Sequence, residues 1–274
     1  MSCSKDEPNN GGKDPIENPT DDPKDDPTDD PTDDPKDDPA DDGTVIVNAD
    51  GTTSNGMPFR RIDETQFMLN YVAYRLNLGH LQVNGYDKVE VSASLNGKVT
   101  IVPAIVIDGT KYFTREISGF YDSDIKEIIL PNTITEISPA AFARAKSLKS
   151  IVIPENVKVI GYDAFAGCVN LRSIDLPENI CLERGCFNEV PLEDITLPIH
   201  FRINYTYSQY GAIFSSSAIK NIYMNGLPID DDLGCLFSDD IKRQATLYVP
   251  EYALYDYKKH EYWSKFKQIK GYNP

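Results

Sequence analysis

The chain has 274 residues, and its 27 Lys and Arg against 43 Asp and Glu give a formal net charge of −16 at pH 7. Most of that charge lies in the first 43 residues, which hold 16 acidic and 4 basic side chains, whereas the remaining 231 residues carry a net charge of only −4. Neither part has the cationic footprint that nucleic-acid phosphates require, and no run of 18 or more apolar residues could cross a bilayer.

The first residues, MSCSKDE, place Cys3 far from the other four cysteines. Ser2 and Cys3 resemble the end of a lipobox, and the acidic residues that follow resemble the surface-export signal of Bacteroidetes lipoproteins. The apolar segment that precedes a lipobox is missing, which suggests a chain trimmed near the cleavage site. The resemblance implies lipidation at Cys3 and an outer-membrane protein that faces the cell exterior, with the lipid as its only membrane contact. A chance cysteine near a disordered terminus is the alternative.

The segment 1–43 continues with the four-residue period TDDP, KDDP, TDDP, TDDP, KDDP. It lacks the apolar side chains that offset ordering entropy, and its carboxylates repel one another. Regular proline blocks helix and favours an extended chain, which could reach on the order of 100 Å. We interpret it as a disordered, stiffened stalk. Weak binding of divalent cations by the Asp pairs is an alternative, although the fixed geometry of a calcium loop is missing.

The next segment, 44–97, is predicted to be an N-terminal β cap. From residue 67 to residue 113, β-branched and aromatic residues alternate with polar ones, and Leu-Gly, Asn-Gly and Asp-Gly turns interrupt the pattern. Residues 98–103 and the Asp108–Gly109 turn are expected to form the first coil of the repeat region, with a hairpin inserted in it.

The segment 98–250 is repetitive. Four units begin with the strings IKEIILP, LKSIVIP, LRSIDLP and LEDITLP, whose prolines fall at residues 131, 154, 177 and 198. A degenerate fifth unit starts at Ile219, and ATLYVP closes the series. Each string alternates apolar and polar residues, which predicts a strand with one buried face that ends at the proline. One large aromatic residue recurs in each coil, as Phe142, Phe165, Phe187, Phe214 and Phe237. Stacking such units makes the core continuous.

These strings resemble the BspA-like, or Treponema-type, leucine-rich repeat. Residues 148–171 follow its pattern LxxIxLPxxVxxIGxxAFxxCxxL nearly throughout, including Ile160–Gly161 and Ala164–Phe165. The third unit departs from it, because Glu183 and Arg184 crowd the Ile-Gly position. The resemblance covers about residues 66 to 270. It implies a mainly β fold: a right-handed leucine-rich-repeat solenoid of short parallel strands, with a β-meander N-terminal cap and a short C-terminal capping helix.

The last segment, 251–274, is predicted to be the C-terminal cap. Leu254, Tyr257, Trp263 and Phe266 have roughly helical spacing, and members of the family close with a similar helix and a W-x-x-F motif. We interpret Trp263 as a capping residue, not as a ligand contact.

No catalytic motif is present in the sequence, so we expect a protein that is not an enzyme and has no cofactor. His80, His200 and His260 have no ligand-like spacing, and no metal site is expected. Cys168 and Cys186 occupy positions where neighbouring units have alanine, which predicts small buried thiols. A disulfide between Cys181 and Cys186 is the alternative.

Two surface regions are candidates for binding. One is a strip on the strands, where exposed positions change from aliphatic to tyrosine along the coils: Asp175, Thr196, Tyr223 and Tyr248, with Asp194 and Asn221 in the adjacent column. The other is the insertion INYTYSQYG, in which Tyr205, Tyr207 and Tyr210 provide contact area at low entropic cost. An ordinary half-exposed sheet face and a loop packed on the solenoid edge are the alternatives.

The resemblance implies non-catalytic adhesion to host or matrix proteins or to other bacteria, although fold alone does not identify a ligand. A glycan-binding accessory lipoprotein of a surface polysaccharide-uptake system, which would use the tyrosine loop for stacking, is one alternative. A structural scaffold for envelope assembly is another. The expected partner is therefore a host or bacterial surface protein, or a glycan.

Overall fold

The computed structural model describes residues 42–204, 212–216, 218–228 and 236–274. The first strands are β1 (Val45–Ile46), β2 (Phe59–Arg61), β3 (Gln66–Leu69), β4 (Val72–Asn77) and β5 (His80–Tyr86). Strands β2 to β5 pair antiparallel in sequence order, as the predicted meander requires. Leu78 and Gly79 connect β4 to β5 with φ angles of 47° and 86°, the left-handed backbone of a tight hairpin.

The helix α1 (Lys88–Ser94) follows the meander and was not predicted. It begins where the Asp87 carboxylate accepts hydrogen bonds from the backbone N–H groups of Val89 and Glu90, an N-cap that the alternating apolar pattern obscured. Strand β6 (Lys98–Thr100) comes next. The predicted hairpin is confirmed as β7 (Ala104–Ile107) and β8 (Thr110–Ile117), and β1 pairs parallel with β7.

The repeat region and the C-terminal cap contribute short strands that pair parallel from coil to coil. In chain order they are β9 (Glu127–Ile129), β10 (Glu136–Ile137), β11 (Val159–Ile160), β12 (Ile180–Glu183), β13 (Asp194–Leu197), β14 (Phe201–Asn204), β15 (Asn221–Met224), β16 (Thr246–Pro250) and β17 (Gln268–Tyr272). One sheet runs β14-β12-β11-β10-β8 and continues through β5 into the meander. The other runs β13-β15-β16-β17, and β6 pairs separately with β9. Stacked parallel strands of this kind confirm the predicted solenoid.

The inner side of the coils is apolar and continuous. The phenylalanines predicted as one per coil form a ladder with Phe120, with adjacent ring centroids 5.2–5.5 Å apart. Each of these rings is almost completely buried. Tyr86 stacks on Phe120 at the N-terminal end, and Trp263 meets Phe237 edge-on at the other end. The buried position of Trp263 agrees with its interpretation as a capping residue.

The strand prediction was wrong in detail for two coils. Residues 150–153 and 173–176 have the alternating burial of a strand but are not paired as one. Elsewhere in their turns these two coils are joined by the parallel pairing of β11 with β12 and by the bond from the Phe165 N–H to the carbonyl oxygen of Cys186. Side-chain bonds tie the first of them to the coil before it: Asn156 donates to the carbonyl oxygen of Asn132, and Asn170 to that of Lys146. The second strand of each coil, such as β11, was not predicted, because strands of two to four residues are too short to show a clear period.

The C-terminal cap contains a helix and also a strand. Helix α2 (Asp239–Gln244) precedes β16, and helix α3 (Leu254–Lys259) follows it. A 3-10 turn at Trp263–Lys265 leads into β17, which pairs parallel with β16 along its whole length. The capping helix is therefore confirmed, while α2 and β17 are additions that the sequence pattern did not indicate.

Candidate binding site

The register of the C-terminal sheet brings most of the predicted strip together. Asp194 lies opposite Asn221, and Asn221 lies opposite Thr246. Two residues further along the strands, Thr196 lies opposite Tyr223, and Tyr223 lies opposite Tyr248. Side chains two residues apart point to the same face of a sheet, so both columns share one surface. Asp175 is exposed on the preceding coil.

The two tyrosines of this strip stack on each other. The ring centroids of Tyr223 and Tyr248 are 4.9 Å apart, and their planes differ by 13°. Tyr272, from β17, contacts Tyr223 edge-on at 5.8 Å. The ammonium group of Lys270 lies 5.8 Å from the Tyr248 ring centroid. The tyrosine rings are thus held in place by contacts with one another and by Lys270.

Beside Tyr223 the surface forms an open groove of about 520 Å³, called the tyrosine groove below, which is lined by Thr196, Ile199, Tyr223, Asn225, Tyr272 and Pro274. The hydroxyl oxygen of Tyr272 lies 2.6 Å from Oδ1 of Asn225 and 3.2 Å from the carbonyl oxygen of Met224. These contacts hold the Tyr272 ring in place as one wall of the groove. The groove is therefore already formed, and no side chain has to move to open it.

The polar column next to the tyrosines is internally hydrogen-bonded. Asn221 donates to Oδ1 of Asp194 at 2.8 Å, and Thr246 Oγ1 lies 3.1 Å from Oε1 of Gln268. Burial raises the pKa of the Tyr223 hydroxyl, and the negative charge of Asp194 adds to the effect. The hydroxyl therefore stays protonated and can donate a hydrogen bond at neutral pH.

Sequence reasoning missed four groove residues, Ile199, Asn225, Tyr272 and Pro274. Ile199 and Asn225 follow the strands that carry Thr196 and Tyr223, at positions where the repeat pattern carries no signal. Tyr272 belongs to the unpredicted strand β17, and the alternation in QIKGY was the only available hint. The tyrosine loop with Tyr205, Tyr207 and Tyr210 lies outside the described residues, as does Cys3.

The other chemistry-bearing residues that the structure describes do not form a site. Cys168, Cys181 and Cys186 are free thiols, so the alternative of a Cys181–Cys186 disulfide is not present. His80 bonds to Glu116 at 2.6 Å, a contact within the sheet. Within the described residues, no cluster of three or more His, Cys, Asp or Glu side chains could hold a metal ion. None of the helices described is long and apolar enough to span a membrane.

Comparison with known proteins identifies the repeat. The family described as BspA type leucine rich repeat region matches residues 116–229 in six copies. No curated protein matches the chain.

Solved structures that resemble this chain include a leucine-rich repeat protein from Bacteroides ovatus, with 22% identity, a TM-score of 0.48 and coverage of 69% of this chain. The match spans little more than half, 56%, of the Bacteroides ovatus chain. The leucine rich repeat protein of T. pallidum is 17% identical, with a TM-score of 0.35 and coverage of 70% of this chain and 94% of that one. A leucine rich cell surface protein from Faecalibacterium prausnitzii is 14% identical, with a TM-score of 0.31 and coverage of 76% and 73%.

Proposed function

Because residues 116–229 are a leucine-rich repeat region of the BspA type, we propose that the chain is a non-catalytic cell-surface protein that binds a partner protein through the strip around Tyr223 and Tyr248. The partner is a host or matrix protein or a protein on another cell. The observation that carries the proposal is the tyrosine groove, which Tyr223 and Tyr272 line on the half-exposed face of the C-terminal sheet, beside the stacked ring of Tyr248.

The chemistry of the strip supports protein binding. Tyrosine is enriched at the energetically dominant positions of protein interfaces, because it combines a large apolar ring with a polar hydroxyl and few rotatable bonds. Tyr223 and Tyr248 already stack at 4.9 Å, so a partner would not have to order them on binding. A pre-ordered aromatic surface of this kind suits recognition better than a mobile one.

The N-terminal segment supports a location at the cell surface. We propose that Cys3 carries the lipid anchor in the outer membrane and that residues 4–43 act as the stalk that extends the repeat region outward. Two or more acyl chains are needed for a stable anchor, at about 0.8 kcal/mol per buried methylene. Mass spectrometry of the native protein would detect the modification, and an unmodified Cys3 would overturn the anchor.

The binding proposal is tested with a panel of matrix proteins and whole bacterial cells. We expect Tyr223→Ser combined with Tyr248→Ser to weaken binding to the positive partner at least roughly thirty-fold, as for an interface hot spot. Tyr255→Ser is the matched control, because Tyr255 is 71% exposed, belongs to α3 and is not among the residues that line the tyrosine groove. Thermal denaturation of each variant checks that the fold is retained.

Three outcomes would contradict this function. Equal loss of binding in the strip variant and in Tyr255→Ser would show that the strip is not the contact. The second outcome is binding that is seen only on a glycan array and is abolished when alanine replaces Tyr205, Tyr207 and Tyr210. That result would establish the alternative of a glycan-binding lipoprotein. Binding in neither panel would favour the scaffold role in envelope assembly.

A further inference from the structure

One face of the Tyr223 ring is covered and the other is open. In the strand register Tyr223 lies between Tyr248 and Thr196. Tyr248 stacks on one face, but Thr196 is too small to cover the other face, which borders the tyrosine groove. Tyr272 holds the ring edge-on. A planar group from a ligand could therefore stack on Tyr223 above Thr196 and continue the aromatic stack.

The charges on the open side of Tyr223 are negative. Asp194 is exposed two residues before Thr196, on the same face of β13, and Asp175 is exposed on the preceding coil. The carboxylate of Glu178 accepts one hydrogen bond from the backbone N–H of Ile199, which lines the groove, and one from that of His200. Of the nearby lysines, Lys270 lies against Tyr248, and Lys220 is paired with Glu193 at 2.7 Å and also interacts electrostatically with Asp194.

The solenoid already uses a tyrosine and an aspartate together to hold an arginine. Arg144 lies 4.2 Å from the Tyr121 ring centroid, while its Nε and Nη2 atoms donate to both carboxylate oxygens of Asp122 at 2.7 and 2.8 Å. The ring contact recurs at a longer distance, because Arg184 lies 5.5 Å from the Tyr162 ring centroid, and Asp163 follows that tyrosine in the chain. In both cases the guanidinium comes from the following coil.

We propose that the tyrosine groove binds an arginine side chain of the protein partner. The guanidinium stacks on the open face of Tyr223 and pairs with Asp194 and Asp175, and the aliphatic stem packs on Ile199 and Tyr272. A guanidinium suits this groove because it is planar, stacks on aromatic rings and pairs with carboxylates, whereas a lysine ammonium is a compact, strongly hydrated point charge. The inference rests on the proposed function and specifies the chemistry that the strip recognises.

The test uses NMR of the full chain with isotope-labelled tyrosine rings. Acetyl-glycyl-arginyl-glycinamide is titrated in parallel with its lysine and proline counterparts and with methyl glucoside. We expect saturable shifts of the Tyr223 ring signals with the arginine peptide and markedly smaller shifts with the other three probes. Asp194→Asn should weaken the arginine response about three-fold, the value typical of an exposed ion pair. Tyr255→Leu is the control and should leave the response unchanged.

An equal response to arginine and lysine, or a glucoside response that Asp194→Asn leaves intact, would overturn the arginine assignment. A competition experiment separates the two proposals. If partner binding depends on Tyr223 but the arginine peptide does not compete, the inference fails and the proposed function stands. If partner binding is indifferent to Tyr223, the proposed function fails.

Discussion

At the scale of single residues, the buried cysteines show how the coil uses small side chains. Cys168 and Cys186 are fully buried, and the Cys168 thiol donates to the carbonyl oxygen of Phe142 at 3.0 Å. Burial raises the pKa of the Cys168 thiol to about 12 and that of Cys186 well above its ordinary value. Because the thiolate is the reactive form, both residues are structural. Cys181 is only half-buried.

The expected consequence is a marked difference in thiol reactivity. In a Cys3→Ser, Cys235→Ser background, Cys181 should react first with a thiol reagent at pH 8, and Cys168 and Cys186 at least about ten-fold more slowly, because burial suppresses their ionisation. The time course of reagent release measures this directly. In urea without reductant, three thiols should react. A count of one would mean that Cys181 and Cys186 are joined after all.

At the scale of elements, the sequence predicted the features that depend on contacts between adjacent coils, because those contacts recur in each repeat. Gly161 illustrates this, because a Cβ there would lie 2.6 Å from the backbone nitrogen of Pro139, so the Ile-Gly signature records a close approach between coils. In the third unit, which departs from this signature, the Glu183 carboxylate accepts a hydrogen bond from the Tyr162 N–H of the preceding coil at 3.0 Å. Elements without a repeat signal, α1 and β17, were missed, since a cap or a late strand depends on contacts distant in sequence.

Another element-scale feature that only the structure shows is a pair of acidic residues on adjacent strands. Glu136 of β10 lies directly opposite Glu116 of β8. Glu116 is hydrogen-bonded to His80 at 2.6 Å and to Gln82 at 2.8 Å. Burial raises the pKa of the Glu136 carboxyl, and the charges of Glu116 and Glu183 raise it further, against the opposing effect of His80. Ionised Glu136 is therefore destabilising to the fold.

We expect Glu136→Gln to raise the free energy of unfolding at pH 7 by roughly 0.2–1 kcal/mol, the range for directly opposed like charges. A raised pKa in the folded state means that wild-type stability falls as pH rises from the ordinary carboxyl value through the raised one. Below about pH 4 the carboxyl is protonated in both states and the difference should vanish. Urea denaturation between pH 3.5 and 8 measures it. Exposed Glu155→Gln is the control; an advantage for Glu136→Gln that persists at pH 3.5 would contradict the electrostatic explanation.

At the scale of the whole molecule, stability is transmitted from coil to coil. The phenylalanine ladder crosses the repeats without interruption between Tyr86 and Trp263, and the two parallel sheets follow the same axis. Each coil covers its neighbours, so the folding energy is approximately a sum of coils and the interfaces between them. The caps matter because each one covers an end that would otherwise expose an aromatic ring.

A cavity in the middle of the phenylalanine ladder should therefore lower the stability of the coils on both sides of it. Phe165→Ala is expected to lower the free energy of unfolding by about 3–5 kcal/mol, since Phe165 is completely buried between Phe142 and Phe187. Calorimetry should also show a broader transition as the halves separate. Val152→Ala, at a position that is 81% exposed, should change stability by less than about 0.5 kcal/mol. A loss below 1 kcal/mol for Phe165→Ala would rule out a tightly coupled ladder.

The short strand β1 would bear mechanical force if the stalk is tethered to a membrane and a partner is bound at the tyrosine groove. Tension would then enter the fold at Asp42 and Val45, which are secured by the Asp42–Lys111 ion pair at 2.9 Å and by two residues of pairing with β7. Val45 is fully buried, so its release would open the core. Under tension, the pairing of β1 with β7 would therefore be expected to break first, at a point far along the chain from the tyrosine groove where the partner binds.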